Sequence, residues 1–310
     1  MSEGQALRGF DKLNELASII EVTDEKDRLH RIADRHLAAL KEGKTSLIIA
    51  PVHAEGRGVA EVVRARMREE GIISGEDYQV GLLAGIALGK AQKKDPIHYQ
   101  PGRIVEITGK VAGFRIGDQC EVKRSSQEGI VVVRNGSEQV LPLDKSDKFE
   151  LYERGTIDVA AGDQLRASCN FAVNGRRIVN NELVRVVTVN DESLVIRREK
   201  GNEEVAIGLN KLLHLDQGIT VTSIASQSKT VDQVIGSAPV RTFSQVNQKQ
   251  FYVDMSRARE AGYMFTDCTE ALREEVARPG DRLSPIEMAI EMERAQTLLR
   301  EPEREIGCAR

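Results

Sequence analysis

The chain contains no tryptophan, and five tyrosines and seven phenylalanines bring its aromatics to only 4% of 310 residues. Base stacking on aromatic platforms is therefore a minor resource, and any single-strand binding rests mainly on phosphate contacts. Cysteine is scarce too: Cys120, Cys169, Cys268 and Cys308 are scattered without a CxxC pair. That distribution argues against a disulfide framework or a thiolate zinc site. No apolar run approaches bilayer length. The longest, Val80 to Leu88, contains two glycines and falls far short of the about 20 residues a spanning helix needs. The first ten residues, MSEGQALRGF, lack the basic-then-apolar order of a secretory signal. Charge of one sign is not in excess either, since 44 basic against 48 acidic residues leave −4. A polybasic nucleic-acid coat protein is excluded. The expectation is a soluble, cytoplasmic protein with no membrane partner and no metal site.

What is present is ordinary globular material, 40% hydrophobic with 26 glycines, and the length suggests roughly two domains. The first hundred residues read as α/β. Thr23 is expected to cap a helix whose first turn holds Asp24, Glu25 and Asp27, where acids suit the helix dipole. Leu29, Ile32, Ala33, His36, Leu37 and Leu40 follow at helical spacing, and Gly43 closes the helix. Ser46 to Ala50 reads as a buried strand ended by Pro51. A second helix carries Val59, Val62, Val63 and Met67 on one face, with Gly71 as its stop.

The character changes at Pro101-Gly102. From there to Leu215 short alternating segments are split by turn residues, with hairpin signals at Asn135-Gly136 and Asn174-Gly175. Two half-length blocks each carry a Gly-Asp turn, Gly117-Asp118 and Gly162-Asp163, which suggests one or two small β-barrels. Residues 101–215 hold 17 basic and 17 acidic side chains, so no basic stripe is visible. After Leu215 the α/β pattern returns. Ile219 to Ser223 reads as a strand. A helix is expected from an Asn247 cap to Arg259, stopped by Gly262, and Tyr263 to Thr266 reads as a strand. Pro285 to Glu305 reads as a charged helix. The simplest architecture is one α/β domain, residues 1–100 and 216–275, interrupted by a β insertion at 101–215 and followed by a charged helical tail, 276–310.

Several short patterns carry no chemistry. Gly43-Lys44-Thr45 mimics the end of a phosphate loop, but that loop needs glycine where Ala38 stands and must follow a strand. His30, His36, His53, His98 and His214 have no metal-ligand spacing, and Glu69-Glu70 and Glu274-Glu275 fit solvated helix faces. Two stretches stand out. Thr220 to Val234 runs from a strand into a loop dense in hydroxyls, with one amide (Gln227) and one amine (Lys229), donors suited to phosphate oxygens. Phe251 to Glu260 carries Arg257 and Arg259 two residues apart. On a helix these would point about 200° apart, so only one could enter a given cleft.

TSIASQSKTVDQVI, followed by FYVDMSRARE, resembles motifs V and VI of superfamily 1 DNA helicases. The likeness is to the RecD-like, UvrD-type C-terminal helicase region of conjugative relaxases of the TraI/TrwC (MobF) type. Leu47 to Gly71 is similar to the motif IV region, and Phe149 to Phe171 with NNELVRVVTV to the barrel insertion of those helicases. Ile224 departs from the family's histidine, Ser228 from its glycine, and Asn181 from the glycine of an N-G-E turn. No phosphate loop, acidic magnesium motif or relaxase tyrosine/three-histidine site occurs in the 310 residues. The resemblance implies a RecA-like (P-loop NTPase-type) helicase domain 2, interrupted by a β-rich SH3-like barrel insertion. It implies Arg257 as the arginine finger, with Gln227 and Arg259 coupling ATP to DNA and Thr222, Ser223, Lys229 and Thr230 contacting DNA. The implied partner is single-stranded DNA. ATP and Mg would bind only if a partner domain, possibly on a separate chain, supplied the phosphate loop. Three functions stay open: the second half of a split helicase, a non-catalytic single-stranded-DNA-binding or interaction module, and a truncated relaxase remnant.

Overall fold

The computed structural model describes residues 4–278 except 199, 200 and 228. Of the tail expected at 276–310, everything beyond Arg278, including the helix expected from Pro285 to Glu305, lies outside the described residues. The chain is mixed α/β. Five strands form a wholly parallel sheet in the order Ile19–Glu21, Ala258–Thr266, Val231–Ser237, Ser46–Ile49, Thr220–Val221. Thr220 pairs with Ile48 and Val221 with Ile49, so the two halves of the α/β region share one sheet.

The sheet is covered on both faces, which explains why Ser46–Ile49 reads as a continuous apolar run rather than an alternating one. Ile48, Ile235 and Phe265 face the helices Glu25–Lys41 and His53–Glu69, whose Ile32, Leu37, Val59 and Val63 fill that layer. Phe10, Ile19, Phe243, Phe251 and Leu272 build the core on the other face, beneath the helices Gly4–Glu15, Gln248–Met255 and Thr269–Ala277. The first of these caps differs from expectation. Asp24, not Thr23, caps Glu25–Lys41, its carboxylate accepting from Asp27 N at 2.8 Å. Gly43 and Gly71 follow their helices with φ +71° and +72°.

The β-rich region begins at Ser74, ahead of the boundary expected at Pro101. Ser74–Gly85 pairs antiparallel with Phe149–Ala161 in a six-stranded sheet that also holds Ile104–Ile107, Gln119–Ser126, Gly129–Arg134 and Ser137–Leu141. A five-stranded antiparallel sheet follows, built from Gln164–Ala167, Leu183–Val189, Ser193–Arg198, Glu204–Gly208 and Leu215–Gln217. Each has its own core: Val105, Val122, Ile130, Leu141 and Phe149 in one, Leu165, Val184, Ile196, Val205 and Leu215 in the other. Asn135-Gly136 and Asn174-Gly175 are two-residue hairpin turns with both φ values positive, as the primed turn demands. The region is rooted on the parallel-sheet unit by Arg64 of His53–Glu69, whose guanidinium donates to both carboxylate oxygens of fully buried Asp163 at 2.9 and 2.8 Å. Among the described residues no helix is long and apolar enough to cross a membrane.

The C-terminal part of the α/β unit departs from the periodicity. The Asn247 cap is present, its side chain accepting from Gln250 N at 2.9 Å, but the helix ends at Met255. Ala258–Thr266 is a strand and Gly262 sits inside it. Ala-Arg-Glu has helix propensity, and pairing with Val231–Ser237 in the sheet overrides it. Ile219 to Ser223 is likewise shorter as a strand than expected. Thr222 caps the brief helix Ser223–Ser226.

Candidate nucleic-acid interface

Because all five strands run the same way, the sheet has two distinct edges, and the expected site residues divide between them. Thr222 and Ser223 lie at the C-terminal edge. Thr222 caps its helix by accepting from Ala225 N, and buried Ser223 donates from Oγ to Asp254 Oδ2 at 2.7 Å. This bond joins the hydroxyl-rich loop to the helix Gln248–Met255, which leads directly into Arg257. Asp254 is itself buried, and its Oδ1 has no hydrogen-bond partner among the described residues. Burial pushes its carboxyl up to about 7, against the opposing pull of the Ser223 hydroxyl and the Arg257 charge.

Gln227, Lys229, Thr230, Arg257 and Arg259 lie toward the N-terminal edge. Gln227 and Thr230 are exposed. Arg259 donates to Thr230 O at 3.1 Å and pairs with Asp232 at 3.3 Å. Asp232 in turn accepts from Thr45 N and Oγ1 at 2.8 and 2.6 Å, and these bonds hold its carboxyl below the usual range. Arg259 is thus built into a strand-edge network. Arg257 occupies the turn, not a helix, so a 200° helical separation from Arg259 does not apply. Its guanidinium donates to Val253 O at 3.0 Å and Ser256 Oγ at 2.9 Å, and the side chain stays half-exposed. Lys229 donates to Asn181 O at 3.0 Å, tying the loop to the β region. Asn181 has φ +63°, a conformation asparagine tolerates better than most residues. The missing glycine therefore does not close off that turn. Ile224 is exposed at 76%, and Ser228 lies outside the described residues.

Sequence reasoning missed a cleft at the C-terminal edge. His53, Arg57 and Thr222 line it from the parallel-sheet unit, Arg166, Asp216 and Gln217 from the β region. The start of His53–Glu69 opens into it. That helix has no side-chain cap, so its first N–H groups and positive dipole end are available to an anion. Arg57 is exposed. Arg166 is partnered, donating to Asn181 Oδ1 at 3.0 Å and to Asp216 Oδ2 at 2.8 Å. The cleft joins residues more than a hundred positions apart, so no local pattern could have revealed it. Among the described residues no group of three or more His, Cys, Asp or Glu is placed to hold a metal ion.

No family model and no curated protein matches the chain. Solved structures do. A structure of two coordinating Pif1 helicases unwinding forked duplex DNA matches with TM-score 0.38 and 13% identity over 96% of this chain and 52% of that one. Pif1 helicase from Candida albicans matches with TM-score 0.37 and 13% identity over 81% of this chain and 49% of that one. Bacteroides Pif1 bound to ssDNA matches with TM-score 0.36 and 12% identity over 95% and 53%. The chain thus spans about half the length of the solved structures it resembles.

Proposed function

We propose that this chain is the DNA-gripping second half of a superfamily 1 type helicase motor, holding single-stranded DNA by its backbone. The observation that carries the proposal is the Ser223–Asp254 bond. The two stretches that resemble motifs V and VI lie on different elements, yet they share one buried hydrogen bond. A shift of the hydroxyl loop on a DNA phosphate would be felt by the helix that positions Arg257. Thr222, Arg57 and the first turn of His53–Glu69 offer donors to the backbone, and Gln227 and Thr230 offer further ones at the other edge. Arg257 is suited to stabilise charge on a transferring phosphate, an effect worth roughly 10³–10⁵ in rate where such fingers operate.

The 310 residues fit a finger but not a complete ATP site, because no phosphate loop is among them. ATP and Mg therefore require a loop from another domain or a separate chain. The conjugative-relaxase identity rests on the motif likeness. A second reading, a single-stranded-DNA-binding module without catalysis, is favoured by Arg257 bonding to its own turn rather than reaching outward.

Fluorescence anisotropy with a single-stranded oligonucleotide across a salt series tests the grip. With about two to four phosphates neutralised, log affinity against log salt should slope about −1 to −3. Arg57→Ala with Thr222→Ala should weaken binding, while a double change at exposed Glu270 and Glu274 should not. Binding unchanged by the cleft variants would place the DNA elsewhere and overturn the assignment.

A further inference from the structure

The first turn of His53–Glu69 contains an acid that is turned away from the helix it begins. Val52 is the N-cap and makes no side-chain cap bond, and Glu55 stands at the third helical position. A glutamate there ordinarily reaches back to the N-cap N–H and closes the helix start. Glu55 is held elsewhere. Its side chain is only 1% exposed, and each carboxylate oxygen has a donor from outside the helix. Ser237 Oγ donates to Oε1 at 2.5 Å, and Arg241 Nη2 donates to Oε2 at 2.5 Å.

The order of the parallel sheet separates these holders from the cleft. Ser46–Ile49 leads into the helix start. Ser237 ends the strand on one side of it, and Thr220–Val221 is the strand on the other. The cleft lies on that second side, where Gly56, Arg57, Thr220 and Thr222 line it. Thr220 Oγ1 donates to Gly56 O at 3.1 Å, so the turn is pinned from the cleft side as well. Arg241 is itself fixed by its surroundings. It lies in the short turn Val240–Gln245, where Val240 N donates to Asp267 Oδ1 at 2.8 Å and buried Thr242 donates from Oγ1 to Pro239 O at 2.7 Å. The same Arg241 Nη2 also donates to Glu25 Oε1 at 2.6 Å, in the first turn of Glu25–Lys41. One exposed guanidinium therefore serves the acids of two helix starts at the edge where the cleft opens.

Resting on the reading that the cleft grips DNA, we propose that Arg241 is a positioning residue for that grip. With Ser237 it keeps the Glu55 carboxylate away from the N–H groups and cationic side chains that a DNA phosphate would use. Glu55 is a built-in competitor, because an anion at a helix start is favoured by the dipole and this one is already attached to the helix. Once released, it reaches the Val52 N–H by the rotation that closes a capping box, and it sets a negative charge close to Arg57. Arg241 touches no phosphate and acts through Glu55.

The test measures affinity of the full chain for a single-stranded oligonucleotide by fluorescence anisotropy, with folding of every variant checked by circular dichroism. Arg241→Gln should weaken binding about fivefold, the size of one unit-charge interaction at short range in water. Adding Glu55→Gln should restore the affinity, and Arg241→Lys should retain it. A second readout needs no DNA. In amide NMR spectra the Val52 and His53 signals should shift downfield in Arg241→Gln, as their N–H groups gain a carboxylate acceptor, and return in the double variant. General loosening of the fold would not give a shift that Glu55→Gln reverses. Arg57→Ala runs alongside. If Arg57→Ala weakens binding and folded Arg241→Gln does not, the DNA reading stands and the role of Arg241 is overturned. If binding ignores Arg57→Ala while the amides shift as expected, the DNA reading has failed and the restraint on Glu55 has not. Amides unmoved in folded Arg241→Gln, or a loss of binding that Glu55→Gln does not reverse, overturn the proposal. If Arg241→Gln does not fold, Ser237→Ala takes its place: it frees one oxygen of Glu55 and should weaken binding about twofold, and an unchanged affinity overturns the proposal.

Discussion

Asp254→Asn is expected to stabilise the protein at pH 8.5 and to do so far less at pH 5. Asp254 lies in the helix Gln248–Met255 with one carboxylate oxygen bound by Ser223 and the other buried without a partner. Taking a charged carboxylate out of water without full compensation disfavours the charged form. The folded protein therefore holds this proton up to about 7, whereas the ordinary value is 3.8. Between those values the native state binds more protons than the unfolded state, so stability falls as pH rises. Below 3.8 both states are protonated and the effect vanishes. Above 7 it is fully developed, and the gap caps it at about 4 kcal/mol. Relaxation and water entry reduce that figure, so a gain of about 1–3 kcal/mol at pH 8.5 is expected.

Asparagine matches aspartate in shape and keeps an acceptor for the Ser223 hydroxyl, so the packing should survive. The assay is urea unfolding of both proteins at pH 5, 7 and 8.5. His36, His214 and the remaining carboxylates titrate alike in the two proteins, so they cancel in the difference. A stabilisation that grows with pH supports the assignment. A difference independent of pH, or a loss that grows with pH, would refute it, because the native structure would then be satisfying the Asp254 charge.

His36 is buried beside Ser46 Oγ at 3.0 Å, and burial, aided by the Arg185 charge, depresses it to about 4. Its unfolded form gains a proton near 6.5, so stability should fall as pH drops from 6.5 to 4, and His36→Gln should flatten that segment of the unfolding profile. Arg64→Ala leaves the buried Asp163 carboxylate, among the described residues, with only Ala160 N as donor and should cost about 3–5 kcal/mol by urea unfolding. Gly162→Ala should also destabilise strongly, since φ is +94° and a Cβ would lie 2.1 Å from Ile72 O; a folded variant of wild-type stability would contradict that geometry. Purified chain should show no ATP turnover with or without single-stranded DNA, and turnover abolished by Arg257→Ala would overturn the view that a phosphate loop must come from elsewhere.

Much of the fold was legible because it is written locally. Ser46–Ile49 is a continuous apolar run because both of its faces are covered. The two Asn-Gly turns announce their hairpins because few other pairs accept two positive φ values. Legibility failed where tertiary pairing overruled local preference. Ala258, Arg259 and Glu260 have a helical composition but extend along Val231–Ser237, and Arg257 and Arg259 therefore sit on a turn and a strand. The β region's start was hidden for a related reason. In Ser74–Gly85 five of the first six residues are exposed, so the period-two signal is weak until Val80. Its partner, Phe149–Ala161, is distant in sequence.

The candidate site divides along the same line. Thr222 could be recognised because its chemistry is in its own loop, and its cap bond stays within four residues. Lys229 could not be assigned from the loop alone, since its partner is a carbonyl on the β region. The same holds for Arg166 and Asp216, whose ion pair forms one wall of the cleft. Lys229–Asn181–Arg166–Asp216 is a continuous chain of contacts from the hydroxyl loop into the insertion, and Arg64–Asp163 anchors that insertion to the helix whose first turn faces the cleft. The insertion is therefore fastened to the parallel-sheet unit at two points, the hydroxyl loop and the helix that opens into the cleft. A ligand gripped there would load the Thr222 cap, the Ser223–Asp254 bond and the arginine turn in series, which is the physical requirement for coupling one edge of the sheet to the other.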